Sequence, residues 1–140
     1  MRVMVIVKGN KESEAGALPD EKILKEMGAF NEELVKAGVM LAADGLKSSK
    51  YGKRVRFEGK KRTVIDGPFA ETKELVAGFW LWQVKSFDEA VEWLKRAPFD
   101  AGTEVEIRQV FETEDFAASD PSGEVRRQEE DHKRRMAARK

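Results

Sequence analysis

The sequence predicts an α+β fold, a ferredoxin-like βαββαβ domain with an inserted hairpin. Strand-like and helix-like segments follow one another in the order β, α, β, hairpin, β, α, β, which is the split βαβ pattern. Two of the strands are apolar on both faces. The chain has 140 residues and no cysteine, which suits one domain that needs no disulfide framework.

The first strand and the first helix are the clearest elements. Residues 2–8, RVMVIVK, form a β-branched run that is apolar on both faces. Pro19 opens a helix that extends to about Ala37, with Gly38 as the residue that ends it. The apolar stripe of this helix consists of Ile23, Met27, Phe30 and Leu34.

The middle of the chain predicts a second strand and a hairpin. Residues 39–43 are apolar and end at Asp44-Gly45. Residues 54–58 and 62–66 flank Gly59-Lys60 as the two strands of a hairpin, and their polar alternation indicates exposure.

A central strand, a helix and an edge strand complete the pattern. Residues 78–84, GFWLWQV, have strong β propensity and are apolar on both faces. Ser86 and Glu89 form a capping-box pattern at the start of a helix that Pro98 stops. Residues 104–110 alternate as the last strand.

The two strands with two apolar faces also predict a homodimer. Right-handed crossovers place both helices on the same face of such a sheet. The second face then needs a cover, and the simplest cover is another copy of the same sheet.

Residues 117–140 are expected to be a separate charged tail, leaving residues 1–116 as the domain. Asp120 and Pro121 suggest the start of a helix, and acidic and basic residues follow at i,i+4 spacing. Because this segment has no apolar face of its own, it is predicted to be helical or frayed.

The charge balance and the hydropathy exclude several classes of partner. Basic and acidic side chains number 26 each, so we expect no nucleic-acid binding. No apolar run approaches the ~20 residues of a membrane span, and the N-terminus lacks the features of a secretory signal. We therefore expect a cytoplasmic protein that does not bind membranes.

Residues 66–74, DGPFAETKE, hold the candidate chemistry. As a local structure they predict a turn, with Asp66 capping backbone N–H groups. As a site they concentrate three carboxylates and one amine near two tryptophans, where a pocket could desolvate them. Both interpretations are open at this point.

The same residues carry a family resemblance. DGPFAETKE, followed by GFWLW and SFDEAVEWLKRAP, resembles the YCII-related family, also called the DGPF family. MRVMVIVKG, EELVKAGVML and DGL match in order, so the resemblance covers residues 1–111. It implies a dimeric α+β barrel built from ferredoxin-like protomers, a small ligand in its cavity, and a regulatory link to extracytoplasmic-function sigma factors.

The chain departs from this family in its histidine. The wider group is associated with a His–Asp pair whose histidine lies on the first helix, whereas the one histidine of this chain is His132 in the tail. An imidazole base is therefore missing from the body. Asp66 becomes the first choice for a carboxylate that contacts a ligand, and apolar walls from Phe69 or the tryptophans would raise its pKa.

The candidate ligand-binding residues are Asp66, Phe69, Glu71, Lys73, Trp80 and Trp82. Lys73 could hold an anionic ligand or could pair with Glu71 or Glu74 at the surface, and the tryptophans could equally serve core or dimer packing. The residue types predict no metal site and no cofactor.

Three functional hypotheses follow. The leading one is a homodimeric barrel that binds a small organic molecule near residues 66–74, as a binding or regulatory module. The alternative is a cofactor-independent lyase, isomerase or monooxygenase in which Asp66 is the catalytic acid or base. A third is a protein-interaction module that uses the tail.

Overall fold

The computed structural model describes residues 1–70 and 74–139. It contains two compact units, Met1–Gln109 and Val110–Lys140. The predicted division after residue 116 stays a prediction.

The described part of the first unit contains six strands and three α-helices. The strands are β1 (Arg2–Lys8), β2 (Met40–Gly45), β3 (Lys53–Glu58), β4 (Lys61–Asp66), β5 (Val76–Gln83) and β6 (Val105–Gln109). The helices are α1 (Lys11–Glu14), α2 (Glu21–Lys36) and α3 (Phe87–Lys95).

Four of the strands form one antiparallel sheet in the order β2-β5-β1-β6. Strands β3 and β4 pair separately as a two-stranded hairpin between β2 and β5. When the two hairpin strands are left out and the other four are renumbered in chain order, the order of the sheet is 4-1-3-2. The predicted ferredoxin-like fold with an inserted hairpin is therefore confirmed.

Side-chain caps fix the starts of α2 and α3. Asp20 Oδ1 accepts a hydrogen bond from Ile23 N at 2.8 Å, so α2 begins after Asp20. Ser86 Oγ accepts one from Glu89 N at 3.1 Å, as the sequence predicts. Gly38 follows α2 with φ 72°, a left-handed conformation that glycine adopts without steric cost.

Both long helices of this unit pack on the same face of the sheet. The buried core combines residues from β1, β5, α2, α3 and the segments beside them: Val3, Val5, Phe30, Leu34, Val39, Trp80, Trp82, Val84 and Ala90. Phe30 joins the layers, since its ring meets Trp80 at a centroid distance of 5.9 Å and Trp93 of α3 at 6.5 Å.

The opposite face of the sheet carries the remaining apolar side chains of β1 and β5, the two strands that are apolar on both faces. Met4 and Ile6 of β1 lie beside Leu81 and Phe79 of β5, and all four are only partly buried within one chain. We call these four residues the open face. The strand alternation predicted from the sequence is present on both central strands.

The second unit consists of a 3₁₀ segment, Thr113–Ser119, and the helix α4, Glu124–Ala138. The expected start at Pro121 is wrong, because α4 begins after Gly123, whose φ is 74°. Asp120 instead accepts hydrogen bonds from the backbone N–H groups of Val125 and Arg126 at 3.2 and 3.0 Å. The residues between Asp120 and Gly123 therefore form a turn.

Among residues 1–70 and 74–139, no helix combines the length and the apolar character that crossing a membrane would require.

Candidate functional site

A cavity of about 280 Å³ lies on the helix side of the sheet, and we call it the helix-side cavity. Its floor comes from β1, β2 and β5, its wall from α2, and Phe99 closes it after α3. The lining residues are Val7, Met27, Asn31, Ala43, Asp44, Gly45, Gly78, Phe79, Trp80 and Phe99.

Small residues in the floor strands open the space for this cavity. Ala43, Gly45 and Gly78 lie on the helix side of β2 and β5. Gly78 also permits a close strand approach, because a Cβ atom there would lie 3.1 Å from the carbonyl oxygen of Asp44. Larger side chains at these positions would fill the floor or push β2 away.

Asn31 is the polar side chain that α2 contributes to the cavity. Its Oδ1 accepts a hydrogen bond from Trp80 Nε1 at 2.9 Å. Because an indole N–H can only donate, this contact fixes the orientation of the amide and leaves the Asn31 Nδ2 group as a donor. The cavity thus combines an apolar lining with one oriented amide.

Asp44 belongs to the same lining, but its side chain has a different direction. It pairs with Phe79, and the neighbouring pair, Ala43 with Trp80, faces the helices. Successive side chains of a strand point to opposite faces. The side chains of Asp44 and Phe79 therefore point toward the side of the open face, although both residues border the helix-side cavity.

The two predicted tryptophans are both on the helix side. Their rings are 5.7 Å apart, and Trp82 is fully buried. Trp80 lines the helix-side cavity and Trp82 does not. Within the described residues, Trp82 Nε1 has no hydrogen-bond partner, which costs about 1–3 kcal/mol for a buried donor.

The Asp66-Gly67-Pro68-Phe69 turn packs against residues 48–52. Ser49 Oγ accepts a hydrogen bond from Phe69 N at 3.0 Å and donates one to a carboxylate oxygen of Glu14 at 2.5 Å. Gly67 N donates to Gly52 O at 3.0 Å, and the Gly67-Pro68 peptide bond is cis. Through this hydrogen-bond network, the turn holds residues 48–52 in place beside α1.

Within this turn, Asp66 and Phe69 each contact a basic residue. The Asp66 carboxylate forms an ion pair with Lys53 at 2.5 Å, and its side chain is 72% exposed. The Phe69 ring lies under the Arg54 guanidinium at 3.8 Å. Apolar walls from the tryptophans do not surround Asp66, because those rings pack in the core.

The remaining candidates lie elsewhere. Glu71 and Lys73 are outside the described residues, and Glu74 is exposed. His132 lies on the exposed surface of α4 in the second unit. In the described ranges, no group of three or more His, Asp or Glu side chains could hold a metal ion. The roles predicted for Asp66 and its neighbours stay predictions.

Asn31 is not among the site residues predicted from the sequence, although it is one of the polar residues of the first helix. A signal was present, because Asn31 lies four residues after Met27 and next to Phe30, on the apolar stripe of α2. A polar side chain on a buried helix face needs a partner, and Trp80 is that partner.

Comparisons with known proteins identify relatives of the chain. The model of the YCII-related domain matches residues 1–114. An uncharacterised protein of Rhizobium meliloti (strain 1021) is 33% identical over 76 residues, which cover 54% of this chain and 61% of that protein. The chain thus spans less than two thirds of the length of this curated relative.

A comparison with solved structures adds a distant neighbour. It is a 5-chloro-2-hydroxyhydroquinone dehydrochlorinase from Burkholderia phenoliruptrix AC1100 in complex with 2,5-dihydroxybenzoquinone. The two share 17% sequence identity, with a TM-score of 0.40, over 81% of this chain and 98% of the other.

Proposed function

The chain belongs to the YCII-related domain family, and from this premise we propose that it binds a small organic molecule in the helix-side cavity. The observation that supports the proposal is the combination of an apolar lining with the Asn31 amide, which Trp80 holds in place. Ligand sites typically pair an apolar surface with a few oriented polar groups.

The size of the cavity limits the ligand. Its volume of about 280 Å³ is near the lower end of the ~300–1,000 Å³ range of ligand pockets, and an apolar cavity of ~150 Å³ accepts benzene. A single-ring molecule with one hydrogen-bond acceptor, directed at Asn31 Nδ2, fits these limits.

We further propose that the functional unit is a cytoplasmic homodimer with a regulatory role. The open face supports the dimer, since a second copy of the same sheet would cover its four apolar side chains. The regulatory role rests on the association of the family with extracytoplasmic-function sigma factors, and this partner stays a prediction.

The alternative function is a cofactor-independent enzyme with Asp66 as acid or base. Asp66 is exposed and forms an ion pair with Lys53, whereas proton-transfer groups usually lie in clefts that exclude water. The environment of Asp66 therefore favours the ligand-binding function over the enzyme. Asp66→Asn should keep the fold and the ligand affinity. Loss of turnover in Asp66→Asn, for any substrate found by metabolite screening, would favour the enzyme.

A screen of single-ring compounds by nuclear magnetic resonance tests the binding proposal. A bound compound should shift the indole N–H signal of Trp80. The signal of Trp93 serves as an internal control, because its Nε1 donates to Glu89 outside the cavity.

Substitution at Asn31 completes this test. Asn31→Ala should weaken binding about tenfold, since one hydrogen bond contributes ~0.5–1.5 kcal/mol. Glu32→Ala, on the exposed side of the same helix, should leave binding unchanged. Compounds that bind without moving the Trp80 signal, or equally well to Asn31→Ala, would rule out this site.

A further inference from the structure

A second and larger cavity lies beside the first unit's loops. Its volume is about 750 Å³, and we call it the loop cavity. Its walls come from the segments around α1 and from the segment after β2. The lining residues that matter for the argument are Ala17, Leu18, Pro19, Leu46, Lys47 and Tyr51.

One part of the loop cavity is apolar and exposed to solvent. Leu18 is 89% exposed and Leu46 is 52% exposed. Tyr51, at 71% exposure, adds an aromatic ring to the same lining. An occupant with an apolar body would remove this surface from water, at about 25 cal/mol for each Å².

The charged lining residues of the loop cavity are Lys47 and Glu12, and Lys50 lies beside the lining residue Tyr51. The ammonium groups of Lys47 and Lys50 lie 5.8 and 5.9 Å from the centroid of the Tyr51 ring. Neither forms a salt bridge with the described residues. Residues 47–62 hold eight Lys or Arg and one acidic residue, Glu58. The positive charge of this stretch outweighs that of the single acidic lining residue, Glu12, so the local field attracts anions.

The backbone that carries these side chains is anchored. Ser48 Oγ donates a hydrogen bond to Glu14 O at 2.6 Å, and Ser49 N donates to the Glu14 carboxylate at 3.0 Å. These contacts tie the segment after β2 to α1 and use the nearby Glu14 carboxylate. An anchored wall reduces the ordering cost of binding.

We propose that the loop cavity is a second binding site, which takes an organic anion with an apolar or aromatic body. The body lies against Leu18, Leu46 and the Tyr51 ring. The carboxylate, sulfonate or phosphate group of the anion pairs with Lys47 of the lining, and Lys50, next to the Tyr51 ring, adds a second positive charge. This site has its own walls and shares only Gly45 with the helix-side cavity.

Two fluorescent probes test this proposal on the full chain. 8-Anilino-1-naphthalenesulfonate carries the anionic group, and N-phenyl-1-naphthylamine has the same aromatic body without it. The Lys47→Gln/Lys50→Gln double variant should bind the sulfonate about tenfold more weakly, because it loses the ion pair with Lys47 and the second positive charge of Lys50. Its affinity for the neutral probe should not change.

A matched variant separates the site from the general field. Lys60→Gln/Lys61→Gln removes the same charge from the hairpin, outside the loop cavity, and should retain the sulfonate affinity. Leu18→Ser should weaken both probes. Melting curves equal to that of the unmodified protein establish that each variant is folded.

Three outcomes would overturn the proposal. The first is absence of sulfonate binding to the unmodified protein. The second is an equal loss in both lysine double variants, which would reflect net charge alone. The third is a loss of sulfonate binding in Asn31→Ala with no loss in Lys47→Gln/Lys50→Gln, which would place the probe in the helix-side cavity. This last result would leave the proposed function intact.

Discussion

Gly67 lies where the turn of residues 66–69 meets the backbone of the segment after β2. A Cβ atom at this position would lie 1.8 Å from the carbonyl oxygen of Ser49. No side chain can approach a backbone atom so closely without moving it. The turn therefore requires glycine for contact rather than for an unusual backbone conformation, which only the folded structure makes visible.

Gly67→Ala is expected to destabilise the protein by about 1–3 kcal/mol, the usual cost of overpacking a well-packed contact. Denaturant unfolding measures this change. Gly28→Ala is the matched control, since a Cβ atom there meets nothing within 4 Å and alanine favours helix α2 by ~1 kcal/mol. Equal stability of Gly67→Ala and the unmodified protein would show that the turn and residues 48–52 are not in contact.

The candidate site shows where sequence reasoning at the residue scale reaches its limit. Strand alternation places Trp80 and Trp82 on one face, but two apolar faces look alike in a sequence. Only packing shows that this face meets the helices. Asp66 heads a distinctive motif, yet its neighbour Lys53 is 13 residues away in sequence, and the hairpin register decides that contact.

At the scale of elements, local signals predict the boundaries that they control. Ser86 and Gly38 mark helix ends because capping depends on the nearest few residues. The predicted start of α4 is wrong for the opposite reason. Asp120 accepts from N–H groups five and six residues later, so the helix begins beyond the reach of an ordinary N-cap pattern. The four-residue helix α1 is also too short to leave a periodic signal.

Asp120 is 7% exposed and stabilises the start of α4 through its charge. Hydrogen bonds from Arg126 N and Val125 N, together with the Arg126 guanidinium, lower the pKa of Asp120 below its ordinary value, although desolvation opposes this. A carboxyl group with a lowered folded pKa contributes stability above its unfolded pKa. That contribution is lost as the pH falls through the lowered value.

Asp120→Asn should therefore loosen the first turn of α4 at neutral pH. Amide hydrogen exchange should become faster at Val125 and Arg126, and the difference from the unmodified protein should disappear below the folded pKa of Asp120. Asp131→Asn is the control, because Asp131 pairs with Arg134 and Arg135 on the exposed helix surface. Unchanged exchange at Val125 and Arg126 in Asp120→Asn would contradict the assignment.

At the scale of the whole molecule, the topology follows from the order of elements. Chirality and short connections leave few arrangements for a βαββαβ chain, and the sheet order β2-β5-β1-β6 is among them. The net charge of the chain, in contrast, does not predict where charged surfaces lie. The balance of 26 against 26 conceals the basic stretch of residues 47–62, and only the fold shows that this stretch borders a cavity.

The apolar side chains of the open face predict that the protein forms a dimer. Met4, Ile6, Phe79 and Leu81 form a continuous apolar strip across the two central strands. A two-fold dimer would place this strip against its own copy, because the same patch then serves both partners. The unmodified protein should therefore sediment as a dimer at micromolar concentration, consistent with the burial of apolar surface on both copies.

Leu81→Glu places a charge at the centre of the strip and should convert the dimer to a monomer, since an unpaired carboxylate would face the apolar surface of the partner. Val64→Glu is the control, because Val64 is 60% exposed on the separate hairpin, and it should leave the dimer intact. Circular dichroism tests whether both variants are folded. If Leu81→Glu does not fold, Ile6→Glu provides a second substitution in the strip. A monomeric unmodified protein, or a folded Leu81→Glu dimer, would exclude this face as the interface.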